Sequence, residues 1–128
     1  MRINHELRRY IQTSIFPLYA KNDEGHRINH IEYVIRRSIQ FMRQFNSLDE
    51  NMVFTAAAYH DIAHHVNKDL HEELSAKIFW DDVFLSRFFT NEQRIVIKEA
   101  IEDHRASMDH PPRSNYGKIL SAADRSTD

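Results

Sequence analysis

The chain has 128 residues, 41% of them hydrophobic, and a formal net charge of −2. That length suits one domain burying roughly two-thirds of its unfolded surface, and the near-balanced charge argues against a protein built to neutralise nucleic-acid phosphates. With no cysteine, disulfides, thiolate metal sites and a cysteine nucleophile are excluded.

The opening residues MRINHELRRY are charged throughout, unlike the apolar stretch of a signal peptide, and no apolar run reaches membrane-spanning length. The expectation is a cytoplasmic protein that binds neither membrane nor nucleic-acid polymer. Only 2 glycines and 3 prolines leave little material for hairpins or phosphate loops, so helices should dominate.

Six helices and no strand are expected. The first covers about 2–16, with Ile3, Leu7, Tyr10, Ile11 and Ile15 at helical spacing, and ends near Pro17. After the polar loop KNDEGH, the second covers about 28–45, where Ile31, Val34, Ile35, Phe41, Met42 and Phe45 form one stripe. Ser47 with Glu50 reads as a capping box opening the third helix, which carries AAAYHDIAHH at 56–65. Asp69 with Glu72 repeats the pattern for a helix through about 86, and Thr90 with Gln93 for one reaching His104. Beyond MDHPPRSN, a short helix carries Tyr116, Ile119, Leu120, Ala123 and Asp124. The aromatics of IFWDDVFLSRFF read as core or a homodimer contact.

The stretch at 56–65 puts polar groups where apolar ones belong. On a helix, His60 and His64 share a line with Val53 and Ala57, and Asp61 lies beside Phe54. Burying an imidazole or carboxylate without a partner costs about 1–3 kcal/mol, and more for a charge. Other helices repeat the anomaly. His30 edges its stripe one turn before Val34, His71 lies in line with Ser75 and Ile78, His104 centres the stripe of Ile97, Ala100 and Ile101, and Asp124 follows Leu120 by one turn. A divalent cation would satisfy them together, and the alanines at 56–58 would let helices approach closely enough.

NHIEYV at 29–34, HD at 60–61 and SAADR at 121–125, with HEELSAKIF and AIEDH between, resemble the H…HD…D signature of the HD-domain superfamily of metal-dependent phosphohydrolases. The resemblance covers about 24–125, within one domain of 1–128 whose first helix lies in 1–20. It implies an all-α, HD-domain-like bundle in which His30, His60, Asp61 and Asp124 bind a metal, and His71 and His104 bind a second metal or the substrate phosphate. Members often continue into further helices that close the pocket, so a chain ending soon after Asp124 is expected to have an open site.

Two imidazoles and two carboxylates form a mixed N/O site suited to Mn²⁺, Fe²⁺, Co²⁺, Ni²⁺, Zn²⁺ or Mg²⁺, and ligand type does not choose among them. One or two ions fit. Asp61 would serve as ligand and as orienter of the attacking water. Many members carry an acidic residue three positions after that aspartate, where this chain has His64. A histidine can transfer protons, so His64 is the candidate acid/base, with Glu72 as the alternative. His65 and Lys68 join the residues expected at a second metal or phosphate, Lys68 ahead of Arg27, Arg105 and Arg125. His26, one turn from His30, is near enough to approach the metals, yet it reads as an exposed loop residue.

The expected function is hydrolysis of a small phosphate monoester or diester, such as a nucleotide. The alternatives are a catalytically idle metal- or nucleotide-binding module and a di-iron oxygenase on the same scaffold.

Overall fold

A computed structural model describes residues 3–105 and 109–126. Six α-helices form, and no strand occurs among the described residues. Helix α1 (His5–Tyr10) is capped by Asn4, whose side chain accepts the Leu7 N–H at 3.0 Å. The expected single helix of 2–16 does not run through. It widens into a π turn over Ile11–Ile15 and tightens into a 3-10 turn over Phe16–Lys21. Pro17 sits in the first turn of that 3-10 segment, where its missing N–H has no partner to lose, so it starts a turn instead of ending one. The buried residues Leu7, Ile11, Ile15 and Tyr19 recur every fourth position. A four-residue repeat drifts around a 3.6-residue helix, and the wider π turn counters that drift.

Five longer helices follow: α2 (Ile28–Met42), α3 (Glu50–Tyr59), α4 (His71–Asp81), α5 (Asn91–Glu102) and α6 (Asn115–Arg125). Helix α3 is the axis of the bundle and touches α2, α4, α5, α6 and the π turn. Every residue from Met52 to Tyr59 is buried, so α3 has no polar face, as befits a helix enclosed by others. Helix α6 lies close on α5 at Gly117, where a Cβ would come within 3.0 Å of Pro112 Cβ and 3.5 Å of Ala100 Cα. Among the described residues, no helix is long and apolar enough to cross a membrane.

Several ends differ from expectation. Helix α2 stops at Met42, not 45. The third helix starts later than Ser47, which instead takes a positive φ of 69°; Asp49 is the cap, accepting the Asn51 N–H at 2.8 Å. The Asp69–Glu72 box does not form either. Asn67 accepts the Asp69 and Leu70 N–H groups and caps a 3-10 turn over Lys68–Leu70, ahead of α4. Helix α4 ends at Asp81, and a 3-10 turn over Val83–Arg87 follows. The Thr90–Gln93 box is present in both halves. Helix α5 ends two residues short of His104.

Two carboxylates stitch the elements together. Asp82 Oδ2 accepts the hydroxyls of Tyr10 at 2.6 Å and Tyr59 at 2.7 Å, and its Oδ1 accepts the Phe84 N–H at 3.2 Å. Burial and Asp82 together push the Tyr10 hydroxyl up to about 12. Asp103, 1% exposed, accepts from the Arg113 N–H, Nε and Nη2 at 2.9, 2.9 and 2.8 Å, tying the end of α5 to the approach to α6.

Burial raises the Asp103 carboxyl, but Arg113 outweighs it and holds the group below the usual carboxylate range. A carboxyl depressed on folding contributes stability above its unfolded value and loses it as pH falls through the folded one. Asp103→Asn should therefore destabilise the chain by about 1–3 kcal/mol at about pH 7, and by much less near pH 3, in urea unfolding at the two pH values.

Candidate metal centre

Helix α3 hands its chain to a run of turns before the histidine–aspartate pair is complete. His60 is its C-cap, and the N–H groups of His60, Ile62, His64 and Val66 each bond the carbonyl three residues back. The expected helix through 65 is thus absent, and His60 and His64 do not share a helical face. His60 points into the bundle, while the His64 ring stacks on that of His26 with centroids 3.6 Å apart.

Five helices each bring a ligand to the interior from near one of their ends. His30 is the third residue of α2, His60 caps α3, His71 opens α4, His104 follows α5, and Asp124 is next to last in α6. The Nδ1 atoms of His60, His71 and His104 lie 2.7, 2.9 and 2.6 Å from the carbonyl oxygens of Ala57, Lys68 and Ile101. A carbonyl only accepts, so each Nδ1 carries the hydrogen and each Nε2 is left to face the centre. Ala57 and Ile101 lie in the last turns of their helices, where carbonyls lack intrahelical partners. One imidazole thereby satisfies a helix end and aims a ligand atom.

The ligand atoms fall into two groups that share Asp61. His30 Nε2 is 3.0 Å from Asp124 Oδ1 and 3.5 Å from Asp61 Oδ2. His60 Nε2 is 3.3 Å from Asp124 Oδ1 and 3.5 Å from Asp61 Oδ2. On the other side, Asp61 Oδ1 is 3.1 Å from His71 Nε2 and 3.6 Å from His104 Nε2, with the two Nε2 atoms 3.3 Å apart. Ligands at right angles on a cation with bonds of about 2.1 Å stand about 3.0 Å apart, so these separations suit a shared ion in each group. The facing Nε2 atoms of His71 and His104 supply the test of fit. Each ring donates through Nδ1, so their lone pairs oppose one another unless a proton or cation lies between.

Electrostatics carry the same signature. Asp61 is 2% exposed; burial raises its carboxyl, yet His60, His104, His30 and His71 hold it well below the usual range. Asp124 is likewise lowered, against burial, by His30 and His60. In return, His30 is held up at about 9: burial lowers it, and Asp124 and Asp61 more than compensate. His60 and His71 are raised in the same way. Buried carboxylates pull positive charge inward.

The remaining expected residues surround this core. Glu72, 6% exposed, receives Arg105 Nη2 at 2.8 Å and Nε at 2.9 Å, and its Oε2 is 3.3 Å from His71 Nε2. Its carboxylate is engaged by a guanidinium and not by the N–H of a cap. His64, Lys68, His71, His104, Arg105 and Asp124 line an open cleft of about 330 Å³ over the centre. Lys68 has no ion-pair partner among the described residues. His65 stands apart from both ligand groups, its N–H and Nδ1 both on Asn22 Oδ1 at 2.9 and 3.0 Å. A larger cleft of about 420 Å³ adjoins through Arg105, between His110, Lys118 and Arg125. It holds neither ligand group.

One expectation is corrected and one residue escaped the sequence. His26 is no free loop residue: besides stacking on His64, its Nδ1 bonds Asp23 Oδ1 at 2.7 Å. The four-residue step from His26 to His30 hinted at its approach. Asn22, 1% exposed, had no signal in the polar loop KNDEGH beyond being a polar residue.

Residues 27–127 match the family model described as HD domain. No curated protein matches the chain. The crystal structure of a predicted HD superfamily hydrolase from an uncultured Thermotogales bacterium is similar at a TM-score of 0.75 and 25% sequence identity, over 97% of this chain and 68% of that one. With its ordered histidines and aspartates gathered at one centre and that match spanning most of its length, the chain belongs to the HD domain family.

Proposed function

We propose that this chain is a metal-dependent phosphohydrolase acting on a small phosphate monoester or diester, with nucleotides as the first class to try. One observation carries the reading: Asp61 directs Oδ2 to His30 and His60 and Oδ1 to His71 and His104. In this reading His30, His60, Asp61 and Asp124 hold one divalent ion, and Asp61, His71 and His104 hold a second. Such an ion lowers the pKa of bound water toward about 7 and neutralises charge developing on a phosphoryl group.

The protein's part is to place groups and move protons. Asp61 presents both oxygens from a buried position. Lys68, on the cleft wall without an ion-pair partner among the described residues, is available to phosphate oxygens. His64 shares that wall, its ring centroid 4.8 Å from that of His71. Burial first, then His26, lowers its ring below the ordinary histidine value, so it is neutral at pH 7 and able to accept a proton. Glu72 is held by Arg105, which makes it a brace for His71 and leaves proton transfer to His64. The structural neighbour of 25% identity is itself described as a predicted HD superfamily hydrolase, which supports the reaction class.

Three outcomes check the reading. Elemental analysis should find two divalent ions per chain, about one after His104→Ala, and nearly none after Asp61→Ala, with helical circular dichroism retained in each. His64→Ala should lower kcat for phosphate release about 10²–10⁴-fold. In the parent chain activity should fall as pH drops through the depressed His64 value, and this acidic limb should vanish in the variant. Because His30 carries a proton up to about pH 9, metal binding at pH 7 must expel it. Calorimetry in buffers of differing ionisation enthalpy should show net proton release, with affinity rising as pH rises toward 9.

A further inference from the structure

The segment before α2 precedes the residues matched by the HD domain model, which begin at 27, yet it grips both backbone groups of Asp61. The Tyr19 hydroxyl accepts the Asp61 N–H at 3.3 Å and donates to the Ala58 carbonyl at 2.6 Å. Asn22 Nδ2 donates to the Asp61 carbonyl at 2.9 Å and to the His26 carbonyl at 2.8 Å. Asn22 Oδ1 takes the His65 N–H and stands within bonding distance of His65 Nδ1. A side-chain amide offers two donor hydrogens and two acceptor lone pairs, and Asn22 uses all of them. Tyr19 is 0% and Asn22 1% exposed, so neither set of bonds competes with water.

These bonds act just beyond the regular hydrogen bonding of α3. Helix α3 ends at Tyr59, and 60–66 is a run of single turns closed by bonds three residues back. The direction of the Asp61 side chain therefore depends on what holds its two flanking peptides. Tyr19 holds one, and Asn22 holds the other together with the local His64 N–H, which also reaches the Asp61 carbonyl, at 3.0 Å. A small rotation there would move both carboxylate oxygens together and take Oδ1 from His71 as it took Oδ2 from His30.

We propose that Tyr19 and Asn22 are positioning residues of the metal centre, locking the Asp61 peptide so that one carboxylate serves two ligand groups. The N-terminal segment is then part of the functional unit and not an appendage to it. The inference rests on the ligand assignment under Proposed function. Partners that orient a metal ligand are typically worth about 10–100-fold in metal affinity, and that range sets the expected effect.

The test is calorimetric binding of Mn²⁺, and in parallel Zn²⁺, to the metal-free 128-residue chain. Asn22→Ala should weaken binding by about 10-fold or more while thermal unfolding in chelator stays cooperative. Tyr19→Phe keeps the buried ring, removes only the hydroxyl, and should shift affinity in the same direction; should Asn22→Ala fail to fold, Tyr19→Phe alone decides. Tyr116→Phe is the control, since it deletes a comparable hydroxyl bond, to the Asp49 N–H at 2.8 Å, away from the centre. It should bind both ions like the parent. Parent-like affinity in Asn22→Ala and Tyr19→Phe overturns the inference and spares the ligand assignment, as does an equal loss in Tyr116→Phe. A parent chain that binds neither ion overturns the assignment and this inference with it.

Discussion

The bundle is organised around the cost of keeping two carboxylates away from water. Asp61 is buried, Asp124 is half-buried, and four imidazoles converge on them within 3.6 Å. Uncompensated, each such charge costs several kcal/mol. Positive charge must accompany them, as protons on the imidazoles or as a divalent ion. Either way the demand is for convergence, and it dictates where five helices begin or end.

That dependence explains why ligands cluster at helix termini and not along helix faces. A terminus has orphan carbonyls, and an imidazole that bonds one through Nδ1 is fixed in tautomer and aim. His60 on Ala57 and His104 on Ile101 both do this at the close of a helix, so backbone satisfaction and ligand orientation are a single event. Small residues, Ala57 and Ala58 in α3 and Ala100 with Gly117 between α5 and α6, let the helices come close enough for these ends to meet. Glu72 and Arg105 extend the arrangement outward, bracing His71 from the rim of the cleft.

The helices were legible where local signals went unopposed. Thr90 with Gln93 formed the expected capping box, each side chain taking the other residue's N–H. Ser47 and Asp69 carried the same pattern and failed: Asp49 caps α3 in place of Ser47, and Asn67 draws the Asp69 and Leu70 N–H groups into a 3-10 turn ahead of α4. The alanine-rich run into His60 favours helix on propensity alone, yet the chain leaves α3 there, where Tyr19 and Asn22, about forty residues earlier, take the next backbone groups. Single-residue spacing cannot register a competitor that distant.

By itself the sequence determined the class of fold, an all-α bundle, and the set of residues that meet: His30, His60, Asp61, Asp124, with His71 and His104 beside them. It could do so because the order of these residues along the chain carries the family pattern, whereas the helical stripes read for His60 and His104 stop short of them, α3 ending at Tyr59 and α5 at Glu102. Only the tertiary structure decided how those residues divide, with Asp61 split between two groups, Glu72 committed to Arg105, His64 on the cleft wall against His26, and His65 turned to Asn22. The physical reason is range. Burial pattern is a property of neighbours three and four residues apart, whereas the aim of a side chain is set by hydrogen bonds from elements that the chain brings together only on folding.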